Sequence, residues 1–161
     1  LQFEGLVTSK NGVGTVVTAA SFVLLKDVYA MRLKIAELIG PMGVTTVPLE
    51  VVSGLQRLLC QAEQLSTQSN PTLEIARINH KLHGLICQVI DNAALRQLYD
   101  LYYYQTSRVW YQQMPEFLSS EIGAIVDELT ELIAAAKGHD LVALGYIKRN
   151  YIARVIRLLQ D

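Results

Sequence analysis

Apolar positions recur with helical spacing over most of the chain, and this pattern divides it into six segments. The first opens at a Ser21 cap and carries Leu24, Leu25, Val28, Met31, Ile35 and Leu38 on one face before Gly40-Pro41 ends it. A connector from Met42 to Val47 leads to Pro48, placed to open a second helix through about Ser66, with Leu49, Val52, Leu55, Leu58, Leu59, Ala62 and Leu65 as its stripe. Asn70-Pro71 begins a third that runs to about Ile90, with Asn70 as cap and proline where a missing N–H costs nothing. Asp91-Asn92 break it and cap a fourth, Ala93 to about Gln113, which stops before Pro115. A fifth starts near Ser119-Ser120-Glu121 and passes through Ile122, Ile125, Leu129, Leu132 and Ile133 to Gly138, and the last runs from about Asp140 to Leu159. Six helices with short connections predict an all-α antiparallel bundle over residues 21–161.

The period changes at the N-terminus. Phe3, Leu6 and Val7, then Val13, Val16 and Val17, are two β-prone runs around Ser9-Lys10-Asn11-Gly12. Asn-Gly tolerates the positive φ of a type I′ turn, so residues 1–20 predict a β-hairpin and linker. Two strands alone are marginal in water, and the expectation is that this hairpin is the remnant of another domain. Leu at position 1, with methionine only at 31, 42 and 114, suggests that the chain begins partway through a longer protein.

Composition narrows the classes. At 161 residues, 51% apolar and 18% charged, the chain can bury a single-domain core without a disulfide or metal staple. A net charge of −1 argues against nucleic-acid binding by bulk electrostatics, so any such contact is local. Cys60 and Cys87 fall inside predicted helices and are read as reduced thiols with no Cys or His at ligand spacing, as expected of a cytoplasmic protein. No apolar run reaches the ~20 residues that span a bilayer, and no membrane association is expected.

The chemistry lies in polar residues on inward faces. Asn79 and His83 fall one turn apart within the face made by Ile75, Ile78, Leu82, Ile86 and Val89. The fourth helix, with a stripe of Leu95, Leu98, Leu101 and Val109, brings Gln105 and Arg108; the first brings Arg32; the last brings Tyr151 between Ile147 and Val155. Buried arginine is rare without an anion, so a cavity for a small carboxylate or phosphate is one reading. The blander reading is a satisfied histidine–asparagine pair with both arginines reaching solvent from the edge of the stripe. Tyr102-Tyr103-Tyr104 and Trp110-Tyr111 point in different directions on a helix and serve packing, one lining the cavity and others at helix or subunit contacts. Gly12-Val13-Gly14-Thr15 lacks the Lys-Ser/Thr and the helix of a phosphate loop, and Asp140 of His139-Asp140 is read as a helix cap rather than a metal ligand. No nucleophile–base–acid set is visible.

These residues resemble the GntR superfamily of bacterial transcription regulators, in the branch with an FadR C-terminal (FCD) effector domain. Phe3-Glu4-Gly5-Leu6-Val7 through Gly12-Val13-Gly14-Thr15-Val16-Val17 resembles the wing of a winged helix-turn-helix; Asp27-Val28-Tyr29-Ala30-Met31-Arg32 resembles the opening effector helix; and Asn79-His80-Lys81-Leu82-His83 with Asp91-Asn92 and Leu95 resembles the Asp-x-x-x-His helix and its successor. The resemblance implies a homodimer that binds operator DNA through its winged-helix domains and changes their disposition when a small organic acid enters the bundle. It implies Lys10 and Asn11 near DNA, and an effector held by Arg32 and Arg108 and oriented by His83, Asn79 and Tyr151. Many members hold a divalent metal through an Asp and three histidines; here Asn79 takes the Asp position and Leu129 and Tyr151 the later two, so only His83 remains, and a metal-free cavity without cofactor is expected. Two other classes stay open: a ligand-free dimerisation module, and a helical enzyme using His83 as a general base.

Overall fold

The computed structural model describes residues 7–10, 14–17 and 22–160. The elements are β1 (Val7–Lys10), β2 (Gly14–Val17), α1 (Phe22–Glu37), α2 (Leu49–Ala62), α3 (Pro71–Val89), α4 (Ala93–Gln113), α5 (Leu118–Lys137) and α6 (Leu141–Leu158). Caps set the starts of three helices. Asn70 Oδ1 accepts from the Leu73 N–H at 3.1 Å, Asn92 Oδ1 from Leu95 at 2.9 Å and Asp140 Oδ1 from Ala143 at 2.8 Å, each satisfying a donor that the first turn leaves open. Pro48 is itself the N-cap of α2, one residue earlier than a first-turn proline. That helix ends four residues before Ser66, and a 3₁₀ turn at Leu65–Thr67 takes its place.

β1 and β2 pair antiparallel with Val7 opposite Val17 and Lys10 opposite Gly14, as the alternating N-terminal pattern predicted. The Asn11-Gly12 turn, the Phe3 and Leu6 positions and the Ser21 cap lie outside the described residues.

The six helices close into a ring. In cyclic order α1 packs on α4, α4 on α3, α3 on α2, α2 on α5, α5 on α6 and α6 on α1. One continuous apolar core fills it, from Tyr29, Ile35 and Ile39 through Leu55, Ile78 and Ile86 to Leu129, Leu132 and Leu144. Gly145 permits the close crossing of α6 over α1, because a Cβ there would lie 2.6 Å from the Ala36 carbonyl oxygen. The α5–α6 turn places His139 at φ 55, in the left-handed region, and its Nδ1 accepts from the Val47 N–H at 3.2 Å. His139 thus ties that turn to the connector before α2, while Asp140 caps α6 as its position predicted. Among the described residues no helix is long and apolar enough to cross a membrane.

Candidate functional site

Four helices contribute to a cavity inside the ring. Its wall takes Arg32 from α1, Asn79 and His83 from α3, Tyr99, Tyr103, Ser107 and Trp110 from α4, and Lys148, Tyr151, Ile152 and Val155 from α6. The volume open to the centre of a water-sized sphere is about 30 Å³. That suffices for roughly two waters, so anything larger enters only if side chains move.

Four of the six expected ligand-binding residues therefore meet: Arg32, Asn79, His83 and Tyr151. Gln105 and Arg108 do not border the cavity; both are half-buried on another side of α4 and engaged there. The reason is the rotation of α4. Of the expected stripe, Leu95 and Val109 are buried, but Leu98 is exposed and Leu101 half-buried, and between the two ends the buried line runs through Tyr99, Tyr103 and Thr106 to Trp110. A shift of one position turns a helix face by about 100°. Tyrosine rings supply more apolar area than leucine, and two of them clasp His83, which favours the observed face. The ring of His83 stacks on Tyr103 at 3.8 Å and on Tyr99 at 5.1 Å between centroids, with interplanar angles of 7° and 10°.

Hydrogen bonds fix several of the polar groups at the wall. Arg32 Nη1 donates to Thr106 Oγ1 at 2.6 Å, and that hydroxyl donates to the Tyr102 carbonyl at 2.7 Å. The Tyr29 hydroxyl donates to the Thr106 carbonyl at 3.0 Å, and burial pushes this phenol up to about 12. Tyr103 donates to the Tyr111 hydroxyl at 2.9 Å, which in turn donates to the Ala76 carbonyl at 3.3 Å. His83 Nε2 lies 2.7 Å from Asp100 Oδ1. Burial holds the imidazole down to about 4 against the opposing pull of Asp100, so the ring is neutral near pH 7. With the Nε2 proton assigned to the Asp100 bond, Nδ1 is an acceptor, and it is buried with no partner. Trp110 Nε1 is likewise a buried donor without a partner.

Two ion pairs sit beneath the wall. Lys148 Nζ contacts Glu128 Oε1 at 2.5 Å, with both residues buried, and Glu128 Oε2 has no partner. Burial raises the Glu128 carboxyl above its ordinary range, with Lys148 pulling the other way. Glu121, fully buried on α5, accepts from the Tyr151 hydroxyl and pairs with Arg154 Nη1 at 2.5 Å. The ammonium of Lys148 is 5.3 Å from the Tyr151 ring centre, within cation–π range. Lys148 is the charged cavity residue that sequence reasoning missed, alongside Tyr99, Ser107 and Ile152. Its signal was present: it lies four residues after Leu144 and four before Ile152, on the apolar stripe of α6.

A second omission concerns Cys87. Sequence reasoning gave it no histidine at ligand spacing, yet His83 precedes it by one turn, and the structure places Cys87 Sγ 3.6 Å from His83 Nε2. His80 is exposed.

Residues 27–154 match the FCD domain family. The chain belongs to that family, the effector domain of GntR-type transcription regulators. Among solved structures, a GntR protein of Streptococcus agalactiae is 19% identical with a TM-score of 0.48, over 98% of this chain and 77% of that one. No curated protein matches. This FCD domain departs from the metal tetrad implied by the family. Leu129 is fully buried and offers no donor atom, Asn79 offers a neutral amide, and the Tyr151 hydroxyl is committed to Glu121. A divalent ion does not fit that set, which wants three or four N, S or carboxylate ligands.

Proposed function

We propose that this FCD domain senses a small carboxylate metabolite in the cavity and controls operator binding by a winged-helix domain to which residues 1–20 contribute the wing and linker. The observation that carries this is the Arg32 guanidinium, which has no carboxylate partner among the described residues, in a cavity with an unpartnered Trp110 donor; the Lys148 ammonium beside it is already balanced by Glu128. A carboxylate supplies acceptors that such a wall lacks, and arginine holds it in a bidentate geometry. His83 Nδ1 and Asn79 orient the rest of the ligand, and Tyr151 closes the α6 side. Lys148 takes the place assigned to Arg108 by sequence. The regulator acts as a cytoplasmic homodimer, with Lys10 and Asn11 near DNA; Lys10 is described only as backbone at the end of β1, and Asn11 lies outside the described residues.

The narrowness of the cavity supports a sensor. A ligand larger than two waters displaces wall side chains, so it binds an opened bundle better than the closed one, and that difference in affinity is what can shift a dimer between geometries. The test is thermal unfolding against a panel of small carboxylates and sugar acids, with and without EDTA. A saturable rise of the size given by mass action, insensitive to chelator, lost in Arg32→Ala and kept in Arg108→Ala, is the expected result. No rise with any acid, or a rise unchanged in Arg32→Ala, overturns the assignment and favours a ligand-free dimerisation module.

A further inference from the structure

We propose that His83, Cys87 and Asp100 form a binding site for one divalent cation of the zinc class, in the seam between α3 and α4. The site shares His83 with the family tetrad and, through the other ring nitrogen, with the effector cavity, but it does not rest on the effector reading. Its three donor atoms, the imidazole Nε2, the thiol sulfur and a carboxylate oxygen, all lie within 4.8 Å of one another.

The distances suit a tetrahedral ion. Bonds of about 2.3 Å to sulfur and about 2.0–2.1 Å to nitrogen put those two ligands about 3.5 Å apart at a tetrahedral angle. The observed Cys87 Sγ to His83 Nε2 separation is 3.6 Å. The corresponding nitrogen-to-oxygen edge is about 3.3 Å. His83 and Asp100 now stand at 2.7 Å because a proton joins them, and the ion replaces that proton. The Cys87 Sγ to Asp100 oxygen edge, up to 4.8 Å, must close to about 3.5 Å. The Asp100 side chain is 51% exposed, so it can swing toward Cys87 as it moves off His83. The same exposure leaves an entry path and room for water as the fourth ligand.

His83 is already immobilised. Its ring, 3% exposed and stacked between Tyr99 and Tyr103, has little rotamer freedom left to lose on binding. A thiolate, imidazole and carboxylate set selects Zn²⁺ or Co²⁺ over Mg²⁺ or Ca²⁺. Protons balance as follows: the Cys87 thiol releases one to solvent, and the Nε2 proton of His83 is replaced by one on Nδ1, so the imidazole stays neutral with its lone pair on the metal.

The probe is Co²⁺ added to EDTA-stripped, dialysed protein, followed by Zn²⁺. The expected result is one equivalent per chain, with tetrahedral visible bands and a near-ultraviolet thiolate-to-cobalt band that Zn²⁺ bleaches. Cys87→Ser removes the thiolate band. Asp100→Asn, at a half-exposed position that leaves the fold intact, weakens Co²⁺ at least about tenfold, because loss of even an outer-shell partner costs that much. Cys60→Ser, an exposed thiol on α2, changes neither. Absence of the thiolate band in the parent protein, its survival in Cys87→Ser, an unchanged Co²⁺ affinity in Asp100→Asn, or its loss in Cys60→Ser each overturns the site.

Discussion

Replacing Lys148 by methionine removes the ammonium but keeps a side chain of similar length against Tyr151. Glu128 is then left 5% exposed, with neither carboxylate oxygen paired to a cation, since Oε2 already has no partner. Breaking a buried pair from one side costs about 3–5 kcal/mol. The structure also sets a ceiling, because the stranded carboxyl can take up a proton. Each pH unit above the ordinary glutamate value of about 4.3 makes that cost about 1.4 kcal/mol, so the loss is capped at roughly 4 kcal/mol near pH 7 and about 1 kcal/mol near pH 5. The sign follows from where the proton binds. In the variant the folded protein holds it and the unfolded chain does not, so the deficit relative to the parent shrinks as pH falls. Urea unfolding of both proteins at several pH values measures it. The double variant Lys148→Met/Glu128→Leu, with no charge left to bury, should recover most of the loss or exceed the parent. A deficit below about 1 kcal/mol at neutral pH, or one that does not change between pH 5 and pH 8, would refute the claim that this pair is buried and mutually dependent.

Gly145→Ala drives a methyl into the Ala36 carbonyl at 2.6 Å and should cost about 1–3 kcal/mol by prying α6 from α1, seen as a lower thermal midpoint. Asp140→Ala removes the cap on the Ala143 N–H and should cost about 1 kcal/mol, whereas an unchanged urea midpoint would show the cap to be idle. The rotation of α4 is tested by two truncations: Tyr99→Ala should cost about 3–5 kcal/mol, and Leu98→Ala, at an exposed position, within about 0.5 kcal/mol. Equal costs would mean that the helix faces the other way.

Helix placement was legible because period and punctuation agreed. Asn70-Pro71, Asn92 and Asp140 each mark a boundary by local chemistry, and the structure caps α3, α4 and α6 there. The orientation of α4 was not legible, since leucines and tyrosines occupy several sides of it and only contacts with α1 and α3 decide between them. The buried pair could have been found: Glu128 falls three residues after Ile125 and four before Leu132, and Lys148 lies on the stripe of α6, so opposite charges interrupt two facing apolar lines. Asp100 as the partner of His83 could not, because nothing within α4 says which turn of α3 it meets.

A ring of helices has no free end member. In an open stack, a wedge driven inside can push the outermost helix aside; in this hoop every helix is held on both flanks, so widening at Arg32 and Lys148 must be shared round the circumference. α1 is the one stave that both carries Arg32 to the cavity and starts only a few residues beyond the end of β2. A ligand that enters as proposed would therefore load all six helices together, α1 among them, rather than one helix alone.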